Sequence, residues 1–263
     1  VAVGMNTLDA NTTANNNVAI GQDACSLTTT GGNNTVVGTN ALATNTTGVG
    51  NTAIGFAASR LQTTANYNTV IGYDANDANQ TGTGITAIGY NALGANTGSN
   101  NTAVGLNSLA ANTSGTQNTA IGKEALTGVT TGNNNVGIGD RAGKTLSTGV
   151  QNTYIGGASG FNATTSSNNT GLGYGALFTN TTGTNNVSVG SNSLLSNTTG
   201  NANVAVGAQA LDANTTGVSC VAVGYGALGA NTTAIQNVAV GQNAAGSNTT
   251  GTLNVAVGHD ALV

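Results

Sequence analysis

The sequence predicts an all-β fold, a parallel β-solenoid (β-roll) of about 16 coils with one 17-residue repeat in each coil. An apolar residue followed by glycine recurs in 16 copies, from Gly4 to Gly258, and 14 of the 15 intervals between these glycines equal the step from Gly38 to Gly55. β-Branched residues alternate with a small residue just before each glycine, which is typical of a short strand. A unit this short can bury a face only against copies of itself, and this is how a solenoid is built.

We number each repeat from its glycine as position 1. Position 17 is Val, Ile or Leu in all 16 copies, position 15 is Val or Thr, and position 16 is usually Ala. The side chains of positions 15 and 17 share one face of the predicted strand. Positions 8 to 11 read Asn-Thr-Thr-Gly, as at residues 45–48, and these residues favour a turn.

We therefore expect each coil to hold two short strands and two turns. Residues 1–263 form a single repeat domain in this interpretation, an ordered segment of a longer fibre. We expect the small Ala at position 16 to permit close approach between neighbouring chains.

One interval, from Gly89 to Gly105, is a single residue shorter than the others. It carries residues 96–98, Asn-Thr-Gly, where the next repeat has residues 112–115, Asn-Thr-Ser-Gly. The missing residue falls in the predicted turn, where a deletion is tolerated best.

The 12 charged residues, about 5% of the chain, all fall at positions 2, 3 and 6. Like charges one coil apart would repel by about 1 kcal/mol in water, because neighbouring coils lie about 4.8 Å apart. Positions 2, 3 and 6 are therefore predicted to face solvent, and the uncharged positions 7 to 17 to include a contact with another subunit. Charges that share a position in adjacent coils are opposite in sign, and we predict three ion pairs between coils: Arg60 with Asp77, Lys123 with Asp140, and Glu124 with Arg141.

Composition argues against several functions. Four Lys and Arg against eight Asp and Glu give no basic surface, so no nucleic acid is expected as a partner. No apolar run is long enough to cross a bilayer, so no membrane contact by this segment is expected. The only histidine, His259, has Asp260 beside it but no converging partners. We predict no catalytic residue, no metal site and no cofactor, and hence not an enzyme.

Cys25 lies at position 5, which is usually Leu, and Cys220 at position 14, which is usually Asn. They are 11 coils apart, far beyond the reach of a disulfide. We expect both to be free, buried thiols.

Phe56, Tyr73 and Tyr90 hold position 2 in three consecutive coils. Two interpretations remain open for this row. It is a surface contact patch for a glycan, a protein or a matrix component, or it is a stack of rings that covers the coil.

Threonine recurs at positions 9 and 10, which raises the possibility of ice binding. An ice-binding surface would need two outward rows on one flat strand face, whereas adjacent residues in an extended segment point to opposite sides. Hydroxyl and amide ladders that join the turns are therefore the favoured interpretation of these threonines.

The repeated segments Asn-Thr-Ala-Ile-Gly (residues 51–55) and Asn-Thr-Ala-Val-Gly (residues 101–105) resemble the head repeats of trimeric autotransporter adhesins, the YadA-like head family. They are also similar to repeat shafts of phage tail fibres. The resemblance implies a left-handed β-roll, a homotrimer, and an extracellular position at a cell or virion surface. The 17-residue repeat is longer than that family's usual coil, and the extra length lies in the Asn-Thr-Thr-Gly turn.

The function favoured by these observations is a non-enzymatic, extracellular structural or adhesive fibre segment, the head-like region of a trimeric surface adhesin. Its expected partners are two further copies of the chain and a host-surface protein, matrix protein or glycan. Two alternatives stay open: a phage tail-fibre shaft, and a monomeric solenoid that interacts with ice or solutes.

Overall fold

A computed structural model describes residues 1–263 and has the predicted fold class. The chain is an all-β parallel β-solenoid with a 17-residue repeat, and it contains no helix. Two compact units are described in turn, Val1–Asn133 and Asn134–Val263.

Each unit contains eight strands, one per coil. The first unit holds β1 (Ala2–Val3), β2 (Val18–Ile20), β3 (Thr35–Val37), β4 (Thr52–Ile54), β5 (Thr69–Ile71), β6 (Thr86–Ile88), β7 (Thr102–Val104) and β8 (Thr119–Ile121). The second holds β9 (Val136–Ile138), β10 (Thr153–Ile155), β11 (Thr170–Leu172), β12 (Val187–Val189), β13 (Val204–Val206), β14 (Val221–Val223), β15 (Val238–Val240) and β16 (Val255–Val257).

Within each unit, every strand pairs in parallel with the strand of the next coil. Thr52 lies opposite Thr69, and Ile54 lies opposite Ile71, so that equal repeat positions are neighbours. The expectation of two strands per coil was wrong, because only positions 15 to 17 form a strand. The remaining residues turn repeatedly, and positions 3, 5 and 13 take a positive φ in nearly every coil, as at Asp74 (51°) and Asn76 (50°).

The glycine at position 1 is required by both its backbone conformation and its surroundings. Gly55 has a φ of 132°, a value that L side chains rarely adopt. A Cβ atom there would also lie 2.5 Å from the carbonyl oxygen of Gly72 in the next coil. Any larger residue would push two coils apart just after the strand, which explains why this position never varies.

The core of each coil is built from columns of small apolar and polar side chains. Positions 4, 5 and 16 supply Ala and Leu, and the Ala column at position 16 is fully buried, as at Ala53 and Ala103. The expectation that this Ala lies between chains was wrong. Position 16 points into the coil, and by the two-residue period of a strand the β-branched residues at positions 15 and 17 point outward.

Buried asparagines form two hydrogen-bonded columns, at positions 8 and 14. At position 14, Asn51 Nδ2 donates to Asn34 Oδ1 (3.1 Å) and to the Ala65 carbonyl (3.0 Å), while its Oδ1 accepts the backbone N–H of Asn68 (3.0 Å). At position 8, Asn45 closes its own turn through the N–H and carbonyl of Gly48. A polar side chain can be buried here because coils above and below satisfy it.

The 16-residue coil absorbs its deletion within the turn. Asn96 bonds both the N–H and the carbonyl of Gly98, two positions further along the chain, where other coils span three. Strand β6 then pairs in normal register with β7, with Thr86 opposite Thr102. The prediction that the missing residue belongs to a turn is confirmed.

One coil of the second unit replaces the usual core with a tyrosine. Tyr154 occupies position 16, and its strand neighbours in the adjacent coils are Gly137 and Gly171. Its ring fills the space that position 5 leaves open, since Gly160 stands there and a Cβ on Gly160 would lie 2.5 Å from the ring. The hydroxyl lies 3.2 Å from Ser166 Oγ, and burial raises the pKa of Tyr154 to about 12.

We predict that Asn51→Ala destabilises the protein by about 1–3 kcal/mol. The change leaves the Asn68 N–H without its partner, and a buried group so orphaned costs about that much. The Ala65 carbonyl loses the Asn51 amide but keeps the bond from Gln62 Nε2. Urea unfolding measures the effect, with the exposed Asn15→Ala as the matched control. Equal stability of the two variants would show that the column contributes nothing.

We predict that Tyr154→Ala lowers the free energy of unfolding by about 3–5 kcal/mol, because it leaves a cavity between two glycine-containing coils. The exposed Tyr174→Ser is the control, and a change within about 0.5 kcal/mol is expected for it. Thermal unfolding followed by circular dichroism compares the two. A small loss for Tyr154→Ala would mean that the coils collapse into the space.

Candidate functional site

The outward faces of the strands differ between the two units. In β3–β8, position 15 is always Thr and position 17 is Val or Ile; we call these twelve side chains the threonine face. In β12–β16, positions 15 and 17 are both Val; we call these ten side chains the valine face. Both faces are partly exposed and neither carries a charge.

The aromatic row predicted at position 2 is a stack of rings. Phe56 and Tyr73 have ring centroids 5.0 Å apart, and Tyr73 and Tyr90 have centroids 5.7 Å apart, with planes tilted by 18° and 15°. The three side chains are about half exposed. Each pair of neighbouring rings covers the faces that lie between them.

This geometry limits what the row can bind. A sugar ring packs on the face of an aromatic ring, but here the inner faces are already in contact, and solvent meets ring edges and tyrosine hydroxyls. The stacking fits the interpretation that the row covers the coil surface. A role of Phe56, Tyr73 and Tyr90 as a contact patch stays a prediction.

A second aromatic stack, which the sequence analysis missed, lies at position 6 of the second unit. Phe161 and Phe178 have centroids 5.2 Å apart with planes only 7° apart, and Lys144 Nζ lies 5.8 Å from the Phe161 centroid. The sequence contains the pattern that predicts this stack, since Lys144, Phe161 and Phe178 share position 6 in consecutive coils. A cation over an aromatic face stabilises the end of the stack.

Arg60 and Asp77 form a two-pronged ion pair between neighbouring coils. Arg60 Nε donates to Asp77 Oδ1 and Nη2 to Oδ2, both at 3.0 Å. The bonds to Asp77 raise the pKa of Arg60, and burial and then the charge of Asp77 raise the pKa of Asp74. This is the contact that equal repeat positions predict, although solvent screens it because the Arg60 side chain is 45% exposed.

The other charged residues give no functional cluster. The predicted pairs Lys123 with Asp140 and Glu124 with Arg141 each combine one residue from each unit, and they stay predictions. Within one coil, Arg141 Nε lies 3.8 Å from Asp140 Oδ2. His259 Nδ1 lies 2.9 Å from Asp260 Oδ2, and both side chains are exposed.

Both cysteines are free and buried, as predicted. Burial raises the pKa of the Cys25 thiol to about 11, and burial also raises the pKa of Cys220. Cys220 stands in the asparagine column, where its backbone N–H donates to Asn203 Oδ1 and its Sγ lies 3.4 Å from the Ala234 carbonyl. The thiol thus takes over part of the hydrogen bonding of the asparagine that it replaces.

The surface offers no pocket for a small molecule. No group of three or more His, Cys, Asp or Glu side chains is placed to hold a metal ion. The structure also has no helix that is long and apolar enough to cross a membrane. What remains as candidate functional surface is the set of outward columns: the threonine face, the valine face and the two aromatic stacks.

Comparison with protein-family models, with curated proteins and with solved structures finds no match for this chain.

We predict that neither cysteine reacts with a thiol reagent at neutral pH unless the protein unfolds. An exposed control, Thr30→Cys, should react at once under the same conditions. Labelling of the native wild type as fast as that of Thr30→Cys would contradict the buried positions.

The pKa of the Cys25 thiol also predicts how stability changes with pH. Because this thiol ionises near pH 9 when the protein is unfolded and near pH 11 when it is folded, its contribution lowers stability as the pH rises from about 9 towards 11.

Proposed function

We propose that this chain is a non-enzymatic structural segment of an extracellular fibre, with a spacer or adhesive role, and that it works as a homotrimer. The observation that carries the proposal is the valine face. Ten valines in five consecutive strands point away from the core, and 36–38% of Val187, Val206 and Val240 is exposed.

An ordered apolar surface of this kind favours association with protein. Monomeric soluble proteins rarely expose large contiguous apolar patches, and such patches mark interaction sites. No charge interrupts the valine face, and valine side chains are stiff, so little side-chain freedom is lost when the face is covered. Copies of the chain are the partner for which the repeat supplies a matching surface, coil against coil.

The structural part of the role is supported by the coil contacts. Backbone bonds, asparagine columns and threonine hydroxyls join each coil to the next within a unit. Repetition of such contacts gives a stiff segment, and repetition of a weak surface contact gives multivalent adhesion. The alternative, a phage tail-fibre shaft, uses the same fold and the same assembly.

We predict that the wild-type chain has three times the mass of one 25.3 kDa chain in solution, and that Val206→Lys with Val240→Lys yields monomers. The two lysines place charges on the valine face two coils apart, where an apolar contact would have to bury them. Light scattering after size-exclusion chromatography measures the mass.

The matched control is Thr199→Lys with Thr233→Lys, at exposed position 10 of the same coils. It adds the same charge with the same spacing and should remain trimeric. A monomeric wild type would overturn the proposed assembly, and a monomeric control would show that charge alone, and not the valine face, determines association.

A further inference from the structure

The threonine face has no role in the proposed assembly. It comprises Thr35, Thr52, Thr69, Thr86, Thr102 and Thr119 at position 15, and Val37, Ile54, Ile71, Ile88, Val104 and Ile121 at position 17. All of these side chains are partly exposed. The face therefore presents one row of hydroxyl groups beside one row of aliphatic groups.

The hydroxyls of this row are available, in contrast to those of the turn threonines. At position 9, Thr29, Thr46 and Thr63 donate to the carbonyls of Thr46, Thr63 and Gln80 in the next coil, at 3.1–3.2 Å. The six hydroxyls of position 15 make no hydrogen bond to the protein. They keep their full capacity to donate to water and to accept from it.

The two rows form a regular grid. Neighbouring strands repeat about every 4.8 Å, and positions 15 and 17 of one strand lie about 6.6 Å apart. Thr69 lies opposite Thr86, and Ile71 lies opposite Ile88, so the grid is in register. The β-branched side chains are restricted in χ1, and the strands beneath them are held by hydrogen bonds to both neighbouring coils.

This grid matches a partner that is neutral, ordered and able to hydrogen-bond. Covering the face with apolar protein would leave six hydroxyls without partners, at a cost of about 1–3 kcal/mol each. A charged ligand finds no counter-charge, because positions 15 and 17 carry none. Hexagonal ice, in contrast, presents water oxygens on a fixed grid with repeats of similar size, and it is uncharged.

We propose that the threonine face binds the surface of ice. The hydroxyls hold waters at lattice positions, and the methyl groups of Thr, Val and Ile restrict the waters between them. A surface with two outward rows on one flat strand face is what ice binding requires. Positions 15 and 17 supply it, and the adjacent threonines at positions 9 and 10 do not.

The proposal is tested by partition of the protein into slowly grown ice and by inhibition of ice recrystallisation. The wild type should be enriched in the ice fraction and should keep ice grains small. Thr69→Lys with Thr102→Lys should reduce enrichment to that of a protein without affinity for ice, because two lysines two coils apart interrupt the grid. Thr30→Lys with Thr64→Lys, at exposed position 10, is the control and should bind ice as the wild type does.

A milder pair, Thr69→Val with Thr102→Val, removes two hydroxyls and keeps the shape of the face. Its enrichment should fall between that of the wild type and that of the lysine pair. Circular dichroism and melting temperature establish that each variant is folded. If the lysine pair at positions 69 and 102 is unfolded, the valine pair decides: enrichment equal to that of the wild type would overturn the proposal.

Two further outcomes would overturn it: a folded wild type that is excluded from ice, or equal losses in the position 15 and position 10 lysine pairs. The test is separate from that of the trimer, because solution mass depends on the valine face of the other unit. A trimer without affinity for ice would refute the ice-binding face alone, and an ice-binding monomer would refute the assembly alone.

Discussion

Every side chain in this solenoid has the same repeat position of the next coil as its neighbour, about 4.8 Å away. This constraint determines which residues each position accepts. Charges of one sign in adjacent coils would repel, whereas Arg60 and Asp77 in adjacent coils form a bidentate pair. Flat rings satisfy the constraint by stacking, as Phe56, Tyr73 and Tyr90 do. The scarcity of charge in the chain is therefore a consequence of the fold.

The same constraint explains how a large part of the core can be polar. An amide side chain carries both a donor and an acceptor, so a column of asparagines bonds to itself and to the backbone of the next coil. An interruption of the column leaves a neighbouring amide without a partner. Val129 follows Asn112 at position 8, and Asn112 Oδ1 is buried without a hydrogen bond. The large side chain of Tyr154 is accommodated by small residues at the same position of the adjacent coils, Gly137 and Gly171.

The sequence allowed the repeat, the register and the solvent-exposed charges to be predicted, because each of them follows from the period alone. Which face of the strand points into the coil could not be derived in that way. The alternation of β-branched and small residues predicts that positions 15 and 17 share a face. It does not predict whether that face or the Ala of position 16 points inward. The structure resolves this through packing. Position 16 faces inward, where Ala53 is fully buried, and position 17 faces outward, where 36% of Ile54 is exposed.

Because the inward columns hold the coil together, the outward columns are free to change. Position 15 changes from Thr in β3–β8 to Val in β12–β16, while Ala at position 16 and Asn at position 14 recur in both units. A single outward substitution alters one point on a surface, but the same substitution in five or six successive coils creates a face with its own chemistry. In such a chain a distinct surface chemistry therefore arises from whole columns of side chains and not from a compact cluster of a few residues.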